Sequence, residues 1–171
     1  DSIPSDLGVL LLPKSSLERF NKVCDDINLY VRSLKGGLSG GTISSMISIT
    51  RYIKSHPEKR RILSSLFSLN PIDRIKNNAQ QRVLKSIRWD SALNKWTSPF
   101  LMSGINTRVV RRTNAVAEFS YGENFKYNEV SSFNRGLDGF LKALIMLVTL
   151  IFLQFSLRSN LLLWILKKVF F

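Results

Sequence analysis

Arg108, Arg111 and Arg112 stand at i, i+3 and i+4 spacing in the stretch "INTRVVRRTNAVAEF". On a helix that spacing places three guanidinium groups on one side, where they can grip a phosphate or carboxylate through planar, multidentate hydrogen bonds. It equally describes a solvated helix face. Val109, Val110, Thr113, Val116 and Ala117 are expected to form the opposing, buried face. A second anion-binding pattern is "KGGLSGGTISS", since glycine amides ahead of a helix can cradle an anion. It lacks the Lys-Ser/Thr ending of a triphosphate loop and the spacing of the dinucleotide fingerprint. The competing reading is a flexible strand-to-helix connection capped by Ser39 or Thr42.

Other reactive side chains are few. One histidine, His56, and one cysteine, Cys24, exclude a histidine-based metal cluster, a thiolate cluster and an intrachain disulfide, so no metal site is expected. Cys24 adjoins Asp25 and Asp26, which disfavour a thiolate, and is read as structural. The 25 Lys and Arg against 12 Asp and Glu give a net charge of +13. Such a surface attracts phosphates, on nucleic acid or on lipid head groups. Nucleic acid is the weaker expectation, because aromatic residues are not interleaved with the basic clusters as in a stacking platform.

The elements that must carry these residues read as follows. Asp1 or Ser2 can cap a short helix with Pro4 and Asp6 in its first turn, and Pro13 is expected to close it. Alternation over residues 27–34 predicts a strand, and Ile43, Met46, Ile47, Thr50 and Ile53 predict a helix ending before Pro57. Residues 51–85 read as an exposed, partly helical excursion. Trp89 and Trp96 bracket a turn, and Pro99 and Gly104 mark a loop. "NFKYNEVSSF" predicts a strand with Phe125, Tyr127 and Glu129 on an aromatic face.

The tail differs in material. Residues 137–157 would make about 31 Å of helix, close to the hydrocarbon thickness of a bilayer. Asp138, Lys142 and Gln154 interrupt it, and the run 143–153 covers only 11 residues. A second apolar piece carries Trp164, followed by Lys167 and Lys168. The charges favour a bent anchor or helical hairpin at a head-group surface, with Leu144, Leu147, Leu150, Phe152, Trp164, Lys167 and Lys168 in membrane contact. A buried core helix is the alternative.

Four stretches, in order, carry a resemblance: "DSIPSDLG", "GGTISSM", "SPFLMSGINTRVVRR" and "FKYNEV". Together they resemble the saccharopine dehydrogenase-like oxidoreductases, the group that includes the trans-acting enoyl reductases. The resemblance implies an N-terminal Rossmann domain holding NAD or NADP, followed by an α+β domain covering the active-site cleft. This sequence departs from that pattern in having no glycine fingerprint, so no cofactor is expected in this chain itself. The chain is therefore expected to begin inside a longer protein. Asp1, Ser2, Pro4 and Asp6 would lie at the crossover between domains, near substrate, and Arg108, Arg111 and Arg112 would face an acidic or phosphorylated carrier.

The expectations are an α+β fold with a mixed or antiparallel sheet and packed helices, residues 1–134 forming a partial substrate or lid domain and 135–171 a membrane-associated segment. The implied function is part of an NAD(P)-dependent oxidoreductase acting on apolar or lipid substrates, partnered by a lipid surface and by the missing Rossmann domain or another protein. An intracellular membrane is expected, with lipid droplet, endoplasmic reticulum and mitochondrial membrane all open. The alternatives are a non-enzymatic membrane-associated subunit and a basic nucleic-acid-binding protein.

Overall fold

A computed structural model describes residues 2–33, 39–74, 83–122 and 124–159. Eleven elements follow one another, of which five α-helices and four strands build the architecture. The sheet has the order β1-β4-β3-β2. Strand β1 (Asp26–Val31) pairs in parallel with β4 (Lys126–Phe133), in a register that sets Ile27 against Tyr127. Strand β3 (Lys95–Pro99) runs antiparallel to β4 and to β2 (Arg88–Asp90). The sheet is thus mixed, and the α+β expectation holds.

Helix α1 (Ile3–Phe20) is longer than the sequence predicts. Pro13 sits inside it rather than ending it. A proline removes one backbone hydrogen bond, but its ring is buried against the fold, and the helix continues to Asn21, whose left-handed backbone (φ 52°) closes it through a bond to Leu17 O. Ser2 occupies the N-cap position without capping, because its hydroxyl is used elsewhere. Helix α2 (Gly40–Ser55) does end before Pro57, and Ser39 is its cap, accepting from Thr42 N at 3.2 Å. Helix α3 (Arg60–Ser64) belongs to the exposed excursion.

Between β2 and β3 lies a tight hairpin. Asp90 Oδ1 accepts from Leu93 N at 3.1 Å, and Asn94 takes the left-handed region. Trp89 and Trp96 are directly paired across the strands, their rings edge-to-face at 5.1 Å. Pro99 ends β3, and Gly104 is not a loop residue but the second residue of α4 (Ser103–Val116).

The main core lies between α1, α4 and the β1/β4 pair: Val9, Ile27, Val110, Tyr121, Phe125 and Tyr127. Helix α5 (Gly136–Arg158) is a single continuous helix that packs on β3 and β4 and also touches α2. Gly136 starts it at φ 86°, a region that favours glycine. At Gly139 a side chain would meet the Asn134 carbonyl oxygen at 1.7 Å, so only glycine lets the chain enter the helix this closely. The second arm of the expected hairpin, with Trp164, Lys167 and Lys168, lies outside the described residues, as does Asp1.

Candidate functional site

Three of the four motifs meet in space. Ser2, Ser5 and Asp6 from α1 face Asn106 and Thr113 from α4 and Glu129 from β4. Ser5 Oγ donates to Glu129 Oε1 at 2.9 Å, and Asn106 Nδ2 donates to the same oxygen at 3.1 Å. Ser2 Oγ donates to Asn106 Oδ1 at 2.8 Å. Further along the two helices, Thr113 Oγ1 donates to Asp6 Oδ2 at 2.9 Å. Ser5, Asn106 and Glu129 are each buried, with Glu129 only 3% exposed. Removing a carboxyl from water is costly unless donors replace the lost hydration, and here an α1 serine and an α4 asparagine supply them. Glu129 Oε2 has no hydrogen-bond donor among the described residues.

Helix positions explain why these side chains converge. Residues 2, 5, 6 and 9 follow one face of α1, and 106, 110 and 113 one face of α4. Val9 and Val110 close the apolar end of the same contact. Tyr127 shares the strand face of Glu129 two residues away. Burial first, and then the Glu129 carboxylate, push the Tyr127 phenol well above its ordinary value, so it stays protonated at any physiological pH. Tyr121 is raised in the same way, by burial and then by Asp6. The seam is a buried polar layer that fixes the start of α1.

Asn114 extends this order into the α4 exit. Its side chain accepts from Tyr121 N at 2.9 Å and donates to Gly122 O, holding a loop in which Glu118 and Phe119 both have positive φ.

The three arginines are placed differently from either face the sequence suggests. Arg111 is 4% exposed, not solvated, while Val116 on the expected apolar face is 55% exposed. All three reach backbone carbonyls of one segment: Arg108 Nε to Ser65 O at 3.0 Å, Arg111 Nη1 to Leu66 O and Arg112 Nη1 to Leu69 O, each at 3.3 Å. Arg108 also bonds Gly104 O, and Arg111 lies over the Phe67 ring at 5.4 Å. Burial, and then the charge of Arg108, lower Arg111 to about 10, so it remains a cation at neutral pH. Of the three, Arg108 lines an open cleft of about 750 Å³ with Lys85, Arg88, Thr107 and Asn128, a basic surface suited to an anionic group.

Elsewhere, Tyr30 OH donates to Asp90 Oδ2 at 2.6 Å, joining the two edge strands. Pro4 is exposed in the first turn of α1. No group of three or more metal-ligating side chains occurs among the described residues. Of the membrane-contact candidates on α5, Phe152 is 58% and Leu144 37% exposed, while Leu147 and Leu150 are half-buried.

Glu129 and Asn106 were not singled out from the sequence as functional positions. The available signal was Glu129 itself, an acid on a strand face otherwise occupied by Phe125 and Tyr127, which requires buried donors from another element.

The chain is 39% identical over 137 residues to a provisionally named trans-acting enoyl reductase of Mycobacterium tuberculosis, a match covering 77% of this chain and 33% of that protein. A trans-acting enoyl reductase of Mycobacterium bovis is 35% identical over 144 residues, covering 80% of this chain and 34% of the relative. One from Mycobacterium ulcerans is 31% identical over 141 residues, or 79% and 34%. The chain therefore spans about a third of the length of these curated relatives. No family model matches the chain, and no solved structure matches it with significance.

Proposed function

We propose that this chain is the substrate-side portion of a saccharopine dehydrogenase-like reductase of the trans-acting enoyl reductase kind, working on apolar unsaturated substrates at a lipid surface. The observation that carries the reading is the run of relatives named trans-acting enoyl reductases, aligned over roughly four-fifths of the chain while the chain covers a third of them. The three motifs that meet at Glu129 belong to the same resemblance, which gives them a common structural purpose.

In this reading NAD or NADP is held by a nucleotide-binding domain that this chain does not supply. Its described residues fit the group poorly. The sheet has a single parallel pair rather than a run of parallel strands around a switch point. The start of α2, the helix that carries the "GGTISSM" stretch, already has its Thr42 amide capped by Ser39. What this chain contributes is a rigid frame. The seam fixes the start of α1, where the two domains join in this reading, and Arg108 with Lys85 and Arg88 offers a basic cleft for an acidic or phosphorylated carrier. The apolar exterior of α5, which is long and apolar enough to cross a membrane, supports attachment to a lipid surface.

The test is NADPH oxidation followed by absorbance with a long-chain enoyl thioester. The protein extended upstream to its nucleotide-binding domain is expected to consume NADPH with saturation of the double bond, and this chain alone is not. An extended protein that binds NADPH and reduces no enoyl substrate would remove the activity from the proposal.

A further inference from the structure

We infer that α5 lies along a membrane surface rather than across it, a conclusion that rests on the lipid-surface reading above and adds its geometry. The helix is about 34 Å long, enough to span. Its outer stripe is apolar from end to end: Leu137, Leu141, Ile145, Val148, Phe152 and Phe155 are all more than half exposed. Only 17% of its most apolar window is buried. Those facts alone suit a spanning helix and a surface helix equally.

The inner side decides between them. Near its start, Phe140 meets Trp96 of β3 edge-to-face at 5.1 Å, and Gly139 and Ala143 are buried. Near its end, Ser156 is buried and Leu157 packs on Ile43 and Ile47 of α2. Both ends of one helix are therefore fastened to the same folded body. Were α5 to cross along the bilayer normal, that body would have to enter the hydrocarbon beside it. With it would go Lys54 of α2 and Arg60 of α3, which line a cavity of about 640 Å³ with Gln154 and Leu157. Hydrocarbon does not accommodate such charges and open polar backbone.

Lying flat resolves each of these features. The outer stripe dips below the head groups while the sheet and α2 stay in water. Cations flank the helix along its length: Arg135 at its N-cap, Lys142 paired to Asp138 at 2.9 Å, and Lys54 and Arg60 beside the last turns. In this orientation all four reach lipid phosphates, and the net charge of +13 favours an anionic leaflet. At the start of the helix an apolar groove of about 570 Å³, lined by Trp89, Trp96, Gly136, Leu137 and Phe140, sets indole rings at head-group level. The occupant of the stripe is thus an anionic lipid surface.

The experiment uses the full chain with Cys24→Ser, carrying Leu141→Cys, Val148→Cys or Phe155→Cys one at a time. Each cysteine bears an environment-sensitive fluorophore and is exposed, so the fold is unstrained. Flotation on vesicles of equimolar phosphatidylcholine and phosphatidylserine is measured first, then quenching by lipids spin-labelled at shallow and deep positions. The flat helix gives all three sites the same shallow-to-deep quenching ratio, within about twofold. A ratio that marks Val148 as deep and the two end sites as shallow overturns the flat orientation while leaving lipid attachment standing. Failure to float, or a concentration-dependent dimer that hides all three sites from both quenchers, overturns both. Lys54→Ser and Arg60→Ser each lower partition on the anionic vesicles by about fivefold; no loss would remove the head-group role of that end.

Discussion

The interior beneath α1 and the exterior of α5 are built from the opposite materials. Under α1, beside the Val9 and Val110 core, the contact with α4 and β4 contains a buried run of hydroxyls, an amide and carboxylates joined by hydrogen bonds of 2.8–3.3 Å. Along α5, large aliphatic and aromatic side chains face outward. A protein in water gains from burying the second and from hydrating the first. The inversion teaches that each region is specified by something beyond bulk hydrophobicity. The seam sets the register of α1, since Ser2 and Ser5 must meet Asn106 and Glu129. The α5 stripe stays exposed in the fold itself, and in the orientation proposed above it is covered by lipid.

Substitutions can break or sharpen that contrast. The largest effect is expected at the one place where α5 is fixed sterically: Gly139→Val drives a side chain into the Asn134 carbonyl, costing about 3 kcal/mol in urea unfolding and shifting Trp96 fluorescence as Phe140 leaves it. Next comes the seam. Glu129→Ala leaves Ser5 and Asn106 without their acceptor and lowers stability by about 2–3 kcal/mol in the same melt, whereas Glu129→Gln, which keeps an acceptor oxygen, loses less.

Tyr30→Phe removes the bond to Asp90 and is expected to cost about 1 kcal/mol, with a pH signature. The Tyr30 hydroxyl holds Asp90 below the ordinary carboxyl range. The pair's contribution is therefore complete above about pH 4, the unfolded value, and disappears as pH falls through the lower folded one. At the other end, burial and then Asp90 raise Tyr30 to about 12. The contribution is whole below the unfolded value near 10 and lost as pH rises toward 12. Wild-type and Tyr30→Phe stability curves should converge at both extremes. The smallest change is expected outside α5, where Ile145→Ser or Val148→Ser alters stability in water by under about 0.5 kcal/mol. A large loss there would mean that the stripe belongs to the core after all.

Legibility in the sequence followed the periodicity of each element. Strand β1 and helix α2 show in the alternation or spacing of their apolar residues, because each buries one face of regular period, whereas β4 alternates only at its start and is buried at every residue from Glu129 to Ser132 between α4 and α5. The continuation of α1 through Pro13 does not show, since the local rule against proline is overridden by tertiary burial of its ring. The inward side of α4 shows only in part: Val110 is buried as expected, but polar residues beside it turn inward too. Asn106, Thr107, Arg111 and Asn114 are buried, and a polarity pattern cannot mark a buried face whose partners are carbonyls of residues 65–69 and a glutamate on β4. The Ser5–Glu129 bond joins residues 124 positions apart, a distance across which no local pattern speaks. The outer stripe of α5 was legible as apolar, but which of its residues face outward depended on where β3 and α2 take hold of it.

The account turns on where the nicotinamide cofactor is seated, and a fluorescence titration of NADPH answers it most directly. With this chain alone no saturable change is expected, and a saturable one is expected once the chain is joined to the upstream nucleotide-binding domain proposed above. Equal binding by both proteins would place the cofactor within these residues and contradict the account.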